Sequence, residues 1–151
     1  MIIAIDDPTA DDVLPLLAEH LADMFAASPA ESVHALNPAE LAQPGLTFYT
    51  VRRDGLVVAC GALKELSRIE CELKSMRTAQ SERGRGVASA LLGHLLEVAR
   101  ERGHRVVRLE TGVESYFEPA RRLYARHGFV LSSPFADYWE DPNSVFMSLE
   151  L

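Results

Sequence analysis

ERGRGVASALL, residues Glu82 to Leu92, follows a strand-like run at Glu70–Thr78 and leads directly into a segment with helical apolar periodicity. A strand, a glycine-rich loop and a helix in this order present unpaired backbone N–H groups where the helix dipole adds partial positive charge. Glycine permits the tight turn and lets an anion approach the backbone. The segment therefore predicts a site for a phosphate-bearing cofactor.

Two common nucleotide-binding loops do not fit this segment. A dinucleotide-binding fold places its loop in the first βα unit, with a third glycine and an acidic residue ~20 positions further on. Here the loop lies in mid-chain, and Ser89 stands where the third glycine would be. A P-loop needs a lysine directly after its last glycine, whereas Val87 follows Gly86. A Rossmann-type protein is therefore the least favoured alternative.

The composition is that of a globular protein with a single domain over residues 1–151. The chain is 48% apolar and 25% charged, and its net charge of −7 argues against a nucleic-acid partner. No run approaches the ~20 apolar residues of a membrane span, and the N-terminus lacks the basic region of a signal peptide. Cys60 and Cys71 have no C-x-x-C spacing, which favours buried thiols over a disulfide or a metal site. We therefore expect a cytoplasmic protein with no metal and no membrane or nucleic-acid partner.

Apolar periodicity and turn residues predict the elements. A strand at Met1–Ile5 precedes a helix that Asp11 or Asp12 could cap and that Ser28-Pro29 ends. The other predicted elements are a short helix after Asn37-Pro38, strands at Thr47–Arg53 and Leu56–Leu66 around an Asp54-Gly55 turn, a strand at Glu70–Thr78, a helix at Val87–Arg102, a strand at Arg105–Thr111, a helix at Glu118–His127, and strands at Phe129–Ser132 and Val145–Leu151. A hairpin followed by two helical crossovers predicts an α/β fold with a twisted mixed sheet of about six to seven strands flanked by helices.

Three segments together resemble the GNAT superfamily of N-acetyltransferases. Arg83–Ala88 has the R-x-x-G-x-A pattern of that family's pyrophosphate loop, Glu70–Thr78 is the strand before it, and Ala120–Phe129 resembles the family's A-x-x-x-Y-x-x-x-G-F helix. The resemblance covers the whole chain in element order. It implies the acyl-CoA N-acyltransferase fold, acetyl-CoA (coenzyme A) as cofactor, and acetyl transfer to a primary amine of a small molecule, amino acid or peptide. Dimers are common in the superfamily, so a homodimer is one expected assembly.

The resemblance also implies where acetyl-CoA binds. Its pyrophosphate would contact the backbone from Gly84 to Ala88, and its pantetheine arm would pair with the strand at Met76, where a backbone group would polarise the thioester carbonyl. Arg83 and Arg85 are candidate phosphate ligands, with a solvated loop side chain as the equal alternative for each. The expected cofactor-binding residues are Met76, Arg77, Thr78, Arg83, Gly84, Arg85, Gly86, Val87, Ala88 and Ser89.

The reaction needs a base, because an alkyl ammonium has a pKa near ~10 and must lose a proton before it attacks. Glu72 lies eleven residues before Arg83, where several family members place a catalytic glutamate. Strict strand alternation would point Glu72 to the same side as Met76. Glu70 is the alternative base, and an ion pair with Lys74 is the alternative role for Glu72.

The leaving thiolate needs an acid, and Tyr124 matches the family tyrosine that acts as this proton donor. The alternative for Tyr124 is a plain core residue. Phe117 stands where many family members have an asparagine that helps to hold the cofactor. Together with Tyr116 and Pro119 it would either wall a substrate channel or pack the start of the helix.

The acceptor side is less well specified by the sequence. Its candidate residues are Glu31, His34, Tyr138 and Trp139, the last two within the aromatic and acidic loop Ala136–Asn143. The remaining histidines, expected at the surface or at helix caps, are His20, His94, His104 and His127. Because neither cysteine has a motif partner, we expect direct transfer in a ternary complex without an acetyl-enzyme. The alternative of a different class is a non-catalytic module that binds or senses acyl-CoA.

Overall fold

Seven strands form one sheet in the computed structural model, which describes residues 1–151. The strands are β1 (Ile2–Ile5), β2 (Leu46–Arg53), β3 (Leu56–Glu65), β4 (Glu70–Thr78), β5 (Val106–Gly112), β6 (Val130–Leu131) and β7 (Ser144–Glu150). The helices are α1 (Leu14–Ala27), α2 (Pro38–Leu41), α3 (Val87–Glu101) and α4 (Glu118–Arg126). The sheet order is β1-β2-β3-β4-β5-β7-β6, with β4 and β5 parallel and the other neighbours antiparallel. The predicted mixed sheet and fold class are confirmed.

Local chemistry explains several of the element boundaries. Asp54 and Gly55 have φ values of 52° and 78°, the left-handed pair that a tight hairpin turn between β2 and β3 requires. The short helix α2 begins with a capping box in which Asn37 and Glu40 each bond the other's backbone N–H. The predicted cap of α1 is wrong: Val13 occupies that position without a side-chain bond, because the Asp12 carboxylate is bound to Arg52 at 2.6 Å.

Apolar side chains cover both faces of the sheet. The larger cluster lies between the sheet and α3 and includes Leu91, Leu92 and Leu95, whose burial contributes about 1.5–3 kcal/mol each. The smaller cluster lies under α1 and α2. Cys71 belongs to the first cluster and Cys60 to the second, so the two free thiols are buried on opposite faces, as the prediction of buried thiols requires.

A split between β4 and β5 is the feature of the sheet that forms the site. The two parallel strands pair only from Glu70↔Val106 to Glu72↔Arg108, and beyond this point each continues without the other. A bulge with φ 55° at Ser75 shifts the register of β4 against β3. Met76 therefore packs on the α3 side, while Glu72 lies on the opposite face, and the predicted shared side for these two residues is wrong.

Of the histidines expected at the surface or at helix caps, His20 is buried inside α1, so the prediction is wrong for it. His104 is buried as well, but it follows the end of α3, where its N–H bonds the Ala99 carbonyl. His127 does cap the end of α4, as predicted.

None of the helices is long and apolar enough to cross a membrane. The cytoplasmic location stays a prediction from the sequence.

Candidate active site

A central cavity of about 590 Å³ opens where β4 and β5 separate. Its walls are β4, the start of α3, the C-terminal end of β5, the start of α4, and the segment that follows α1. Arg83, Arg122 and Arg126 line one end together with Glu82, and Glu72 and Glu110 line the other together with Lys74. We call these the donor end and the acceptor end, and describe each from its residues.

At the donor end, a row of backbone N–H groups has no partner within the protein. Gly84 and Gly86 adopt left-handed φ values of 77° and 79°, and Gly86 precedes α3 without any side-chain cap. The first N–H of the helix that bonds back along the chain is that of Ala90. The N–H groups from Gly84 to Ser89 are therefore free to bind an anion, as expected of a helix N-terminus.

The arginines around this loop have different surroundings. Arg83, Arg122 and Arg126 line the donor end. Arg85 does not line it, because its side chain is 61% exposed and lies 3.8 Å from Glu82. The guanidinium of Arg77 is buried against α1, where it bonds the carboxylates of Glu19 and Asp23 and the Tyr116 hydroxyl. The backbone of Arg77 is paired with Cys60 of β3, in the same alternation as the bond from Ala79 N–H to Val58 O.

Tyr124 lies between the two ends. Its ring packs edge-on against Phe129 with centroids 5.8 Å apart, and its side chain lines the cavity. The Tyr124 hydroxyl makes no hydrogen bond with the protein. Burial raises the pKa of Tyr124 to about 12, which keeps the phenol protonated at neutral pH.

At the acceptor end, Glu72 is held in a buried network. Only 2% of its side chain is exposed. Its Oε2 accepts hydrogen bonds from the Tyr138 hydroxyl and, at 3.2 Å, from the Lys74 ammonium. Lys74 also donates to the Tyr138 hydroxyl at 2.8 Å. Burial and the neighbouring Glu72 carboxylate raise the pKa of Tyr138, so this phenol stays neutral and donates to Glu72.

A second polar pair lies beside this network. His34 Nδ1 is 2.8 and 2.9 Å from the two carboxylate oxygens of Glu110, and Ser144 Oγ donates to the same carboxylate at 3.0 Å. The rings of His34 and Tyr138 meet edge-on at 5.2 Å between centroids. The acceptor end therefore holds two carboxylates: Glu72 is paired with the Lys74 ammonium, and Glu110 is bonded to His34 and Ser144.

The model of the Acetyltransferase (GNAT) family matches residues 14–129 of this chain. The chain belongs to this family. It is 48% identical over all 151 residues to the uncharacterized N-acetyltransferase YsnE of Bacillus subtilis (strain 168), with 100% of both chains covered. It is 45% identical to the uncharacterized N-acetyltransferase YedL of Escherichia coli (strain K12), over 99% of this chain and 94% of that protein.

Solved structures agree with this family assignment. A Klebsiella pneumoniae protein assigned to the acyl-CoA N-acyltransferases superposes with a TM-score of 0.82 and 29% identity, over 99% of this chain and 97% of that chain. An aminoglycoside 6'-N-acetyltransferase complexed with coenzyme A gives a TM-score of 0.72 at 15% identity, over 99% and 97% of the two chains. At this low identity the second comparison shows only that the two proteins share a fold.

Most of the site residues expected from the sequence line the cavity of this acetyltransferase. Arg85 is the exception among the donor residues. Glu70 is bound through both oxygens to Arg108, whose hydrogen bond lowers the pKa of the Glu70 carboxyl, and it lies outside the cavity. On the acceptor side, His34 and Tyr138 line the cavity, but Glu31 and the exposed Trp139 do not.

Phe117 lines the cavity together with Tyr116 and Pro119, so the wall interpretation of these three residues agrees with the structure. The Phe117 ring packs directly over Gly112, where a Cβ atom would clash with it.

Sequence reasoning missed Glu110, Arg122 and Arg126. For Glu110 the sequence did offer a signal, because Arg108 and Glu110 place charges at alternate positions of a predicted strand.

Proposed function

We propose that this acetyltransferase transfers an acetyl group from acetyl-CoA to a primary amine of a small molecule, amino acid or peptide, within a single domain. The observation that carries this proposal is the row of free N–H groups from Gly84 to Ser89, which opens into the same cavity as the Tyr124 hydroxyl. The row can bind a pyrophosphate, and the phenol can serve the sulfur at the other end of the cofactor.

The donor end fits the shape and charge of coenzyme A. We place the pyrophosphate on the N–H row, with Arg83, Arg122 and Arg126 supplying positive charge. The pantetheine arm would pair with the edge of β4 at Met76–Thr78, which β5 leaves open beyond Glu72. Met76 and Thr78 would contribute the backbone groups that face this edge, whereas Arg77 pairs with Cys60 of β3. Arg77 and Arg85 are left without a direct role.

The chemistry follows from the groups that border the cavity. The acceptor ammonium loses a proton, and the free amine attacks the thioester carbonyl. The carbon–sulfur bond then breaks, and the coenzyme A sulfur takes a proton from the Tyr124 hydroxyl. The nitrogen, now bonded to the acetyl group, loses its second proton, which restores the Tyr124 phenol. Glu72 draws the ammonium to the acceptor end, and either Glu72 or another group of that end takes up its proton. One proton is released for each amide formed.

Direct transfer is supported by the state of the two cysteines. Neither Cys60 nor Cys71 lines the cavity, and burial raises the pKa of their thiols to about 12 and about 11. A nucleophilic cysteine needs an accessible thiolate. An acetyl-enzyme on either residue is therefore disfavoured, in keeping with a ternary complex.

Thiol release from acetyl-CoA over a panel of amines tests the function. The panel would contain 1,4-diaminobutane, lysine, tyramine and a short peptide, and the proposal expects amine-dependent release of free coenzyme A. Stabilisation by coenzyme A without turnover of any amine would favour a non-catalytic acyl-CoA-binding module. Stabilisation by NAD and not by coenzyme A would overturn the donor assignment, since a ligand present at 100 times its Kd stabilises by about 2.7 kcal/mol.

A further inference from the structure

We propose that His34, oriented by Glu110, is the group that receives the proton of the acceptor amine and returns it to solvent. The inference rests on the proposed function and specifies its acceptor half. In this division of work Glu72 attracts and orients the ammonium, His34 is the catalytic base, and Glu110 is a positioning residue.

The hydrogen bonds of His34 fix which ring nitrogen is free. Both oxygens of Glu110 lie within 2.9 Å of Nδ1, and a carboxylate can only accept a hydrogen bond. Nδ1 therefore carries the ring proton, and Nε2 presents its lone pair. Nε2 has no partner in the protein, and the His34 side chain lines the cavity. A carboxylate that orients an imidazole in this way also stabilises the imidazolium that forms.

Glu110 is well suited to this supporting role. Its side chain is only 11% exposed, and its polar partners are His34 and Ser144. It forms no ion pair with a lysine or an arginine. No other cation therefore competes with His34 for the Glu110 carboxylate when His34 takes up a proton.

Glu72 is less suited to be the final proton acceptor. Its Oε2 already accepts from Lys74 and Tyr138, and the side chain is almost completely buried. The His34 side chain is 28% exposed, so a proton taken up at Nε2 can leave to water. The contact between the Tyr138 and His34 rings places the two groups along one wall of the acceptor end.

The proposed step balances in atoms and charge. The nitrogen–hydrogen bond of the ammonium breaks, its electron pair stays on nitrogen, and the proton forms a bond with His34 Nε2. The neutral amine then attacks, and the imidazolium releases its proton to water. No oxidant, reductant or co-reactant beyond acetyl-CoA is needed.

Charged and aromatic groups surround His34 at the acceptor end. Glu110 of β5 bonds it directly, and Asp141, whose own pKa is lowered by its bonds to Asn143 and Ser32, lies on the loop before β7. Tyr138 and Trp139 of the same loop contact the ring through their aromatic edges. Lys74 and Glu72 of β4 reach the same wall through the Tyr138 hydroxyl.

The test compares His34→Gln with His94→Gln. His94 lies on α3 against Tyr49 and outside the cavity, so it serves as the matched control. With acetyl-CoA and the most reactive amine of the panel, we expect His34→Gln to lose ~10²-fold in kcat/KM for the amine near pH 7. The loss should shrink toward pH 9–10, where free amine becomes abundant. Coenzyme A affinity should be unchanged, and His94→Gln should behave as the wild type.

Glu110→Gln provides a second variant, which covers the case in which His34→Gln does not fold. Without the carboxylate the ring loses the partner that holds it, so kcat should fall by ~10-fold while the KM for the amine and coenzyme A affinity stay close to those of the wild type. An active wild type whose His34→Gln variant keeps the same rate and pH profile overturns the inference alone. A wild type that acetylates no amine contradicts the proposed function instead.

Discussion

Replacing Tyr124 with phenylalanine isolates the proposed general acid, because the structure gives the hydroxyl no other task. The hydroxyl makes no hydrogen bond with the protein, while the ring packs against Phe129 and within the main core. Phenylalanine keeps that packing. We therefore expect the free energy of unfolding to change by less than about 1 kcal/mol, and coenzyme A affinity to stay the same.

The expected loss in rate depends on pH in a way that identifies the role. Loss of a general acid near pH 7 should lower kcat by ~10²-fold, which corresponds to about 2.7 kcal/mol of transition-state stabilisation. A thiol of ordinary pKa near ~8.5 leaves as a stable thiolate at higher pH, so the defect should shrink above pH ~9. Because the pKa of Tyr124 is about 12, the wild type should show no inflection from this phenol below pH ~10.

Steady-state thiol release from pH 6 to 10 measures both quantities, and titration with coenzyme A measures binding. Turnover equal to that of the wild type would remove Tyr124 from the mechanism. A loss of constant size across the pH range, accompanied by weaker coenzyme A binding, would instead indicate that Tyr124 shapes the cavity without donating a proton.

Three further predictions concern the loop, the acceptor end and a buried histidine. Gly86→Ala should weaken coenzyme A binding and lower the free energy of unfolding by about 1 kcal/mol, because Gly86 has φ of 79°, although no atom crowds the new Cβ. Gly93→Ala lies inside α3, where a Cβ has equal space, and should instead raise the free energy of unfolding, measured in urea, by about 0.5–1 kcal/mol. Glu72→Gln should lose rate mainly at lower pH, where more of the amine is protonated, and an equal loss at every pH would point to a structural role. Burial lowers the pKa of His20 from 6.5 to about 4, so as the pH falls His20 takes up a proton in the unfolded chain before it does so in the folded one. The free energy of unfolding should therefore fall by about 2 kcal/mol between pH 7.5 and 5, and His20→Leu should remove this pH dependence.

Elements governed by neighbouring residues were predictable from the sequence. The Asp54-Gly55 hairpin, the capping box after Asn37 and the bounds of β4 all depend on signals within a few positions. The cap of α1 was predicted wrongly for the opposite reason. Asp12 is drawn to Arg52, a partner forty residues away, and a local pattern carries no information about such a contact.

The bulge in β4 depends on a distant residue as well. Met76 can turn toward α3 because Gly61 on the neighbouring strand has no side chain; a Cβ there would lie 2.6 Å from the Met76 sulfur and 3.2 Å from Leu95. Ser75 itself carries no turn signal. The alternation of β4 therefore predicts the wrong face for Met76, although it predicts the right strand.

The same bulge explains how one strand can serve two substrates. Before it, Glu72 and Lys74 lie on the face that carries the acceptor end; after it, the backbone at Met76–Thr78 forms the open edge beside the donor loop. The pairing of β4 with β5 ends at Glu72↔Arg108, before the bulge at Ser75, so the bulge lies within the unpaired edge. Because the split begins directly after the Glu72↔Arg108 pair, the carboxylate and the open edge meet where the thioester would lie. In the proposed mechanism the arginines of the donor end attract acetyl-CoA, and the carboxylates of the acceptor end, one of them paired with Lys74, attract the amine. Opposed charges at the two ends favour a ternary complex over two competing binding modes.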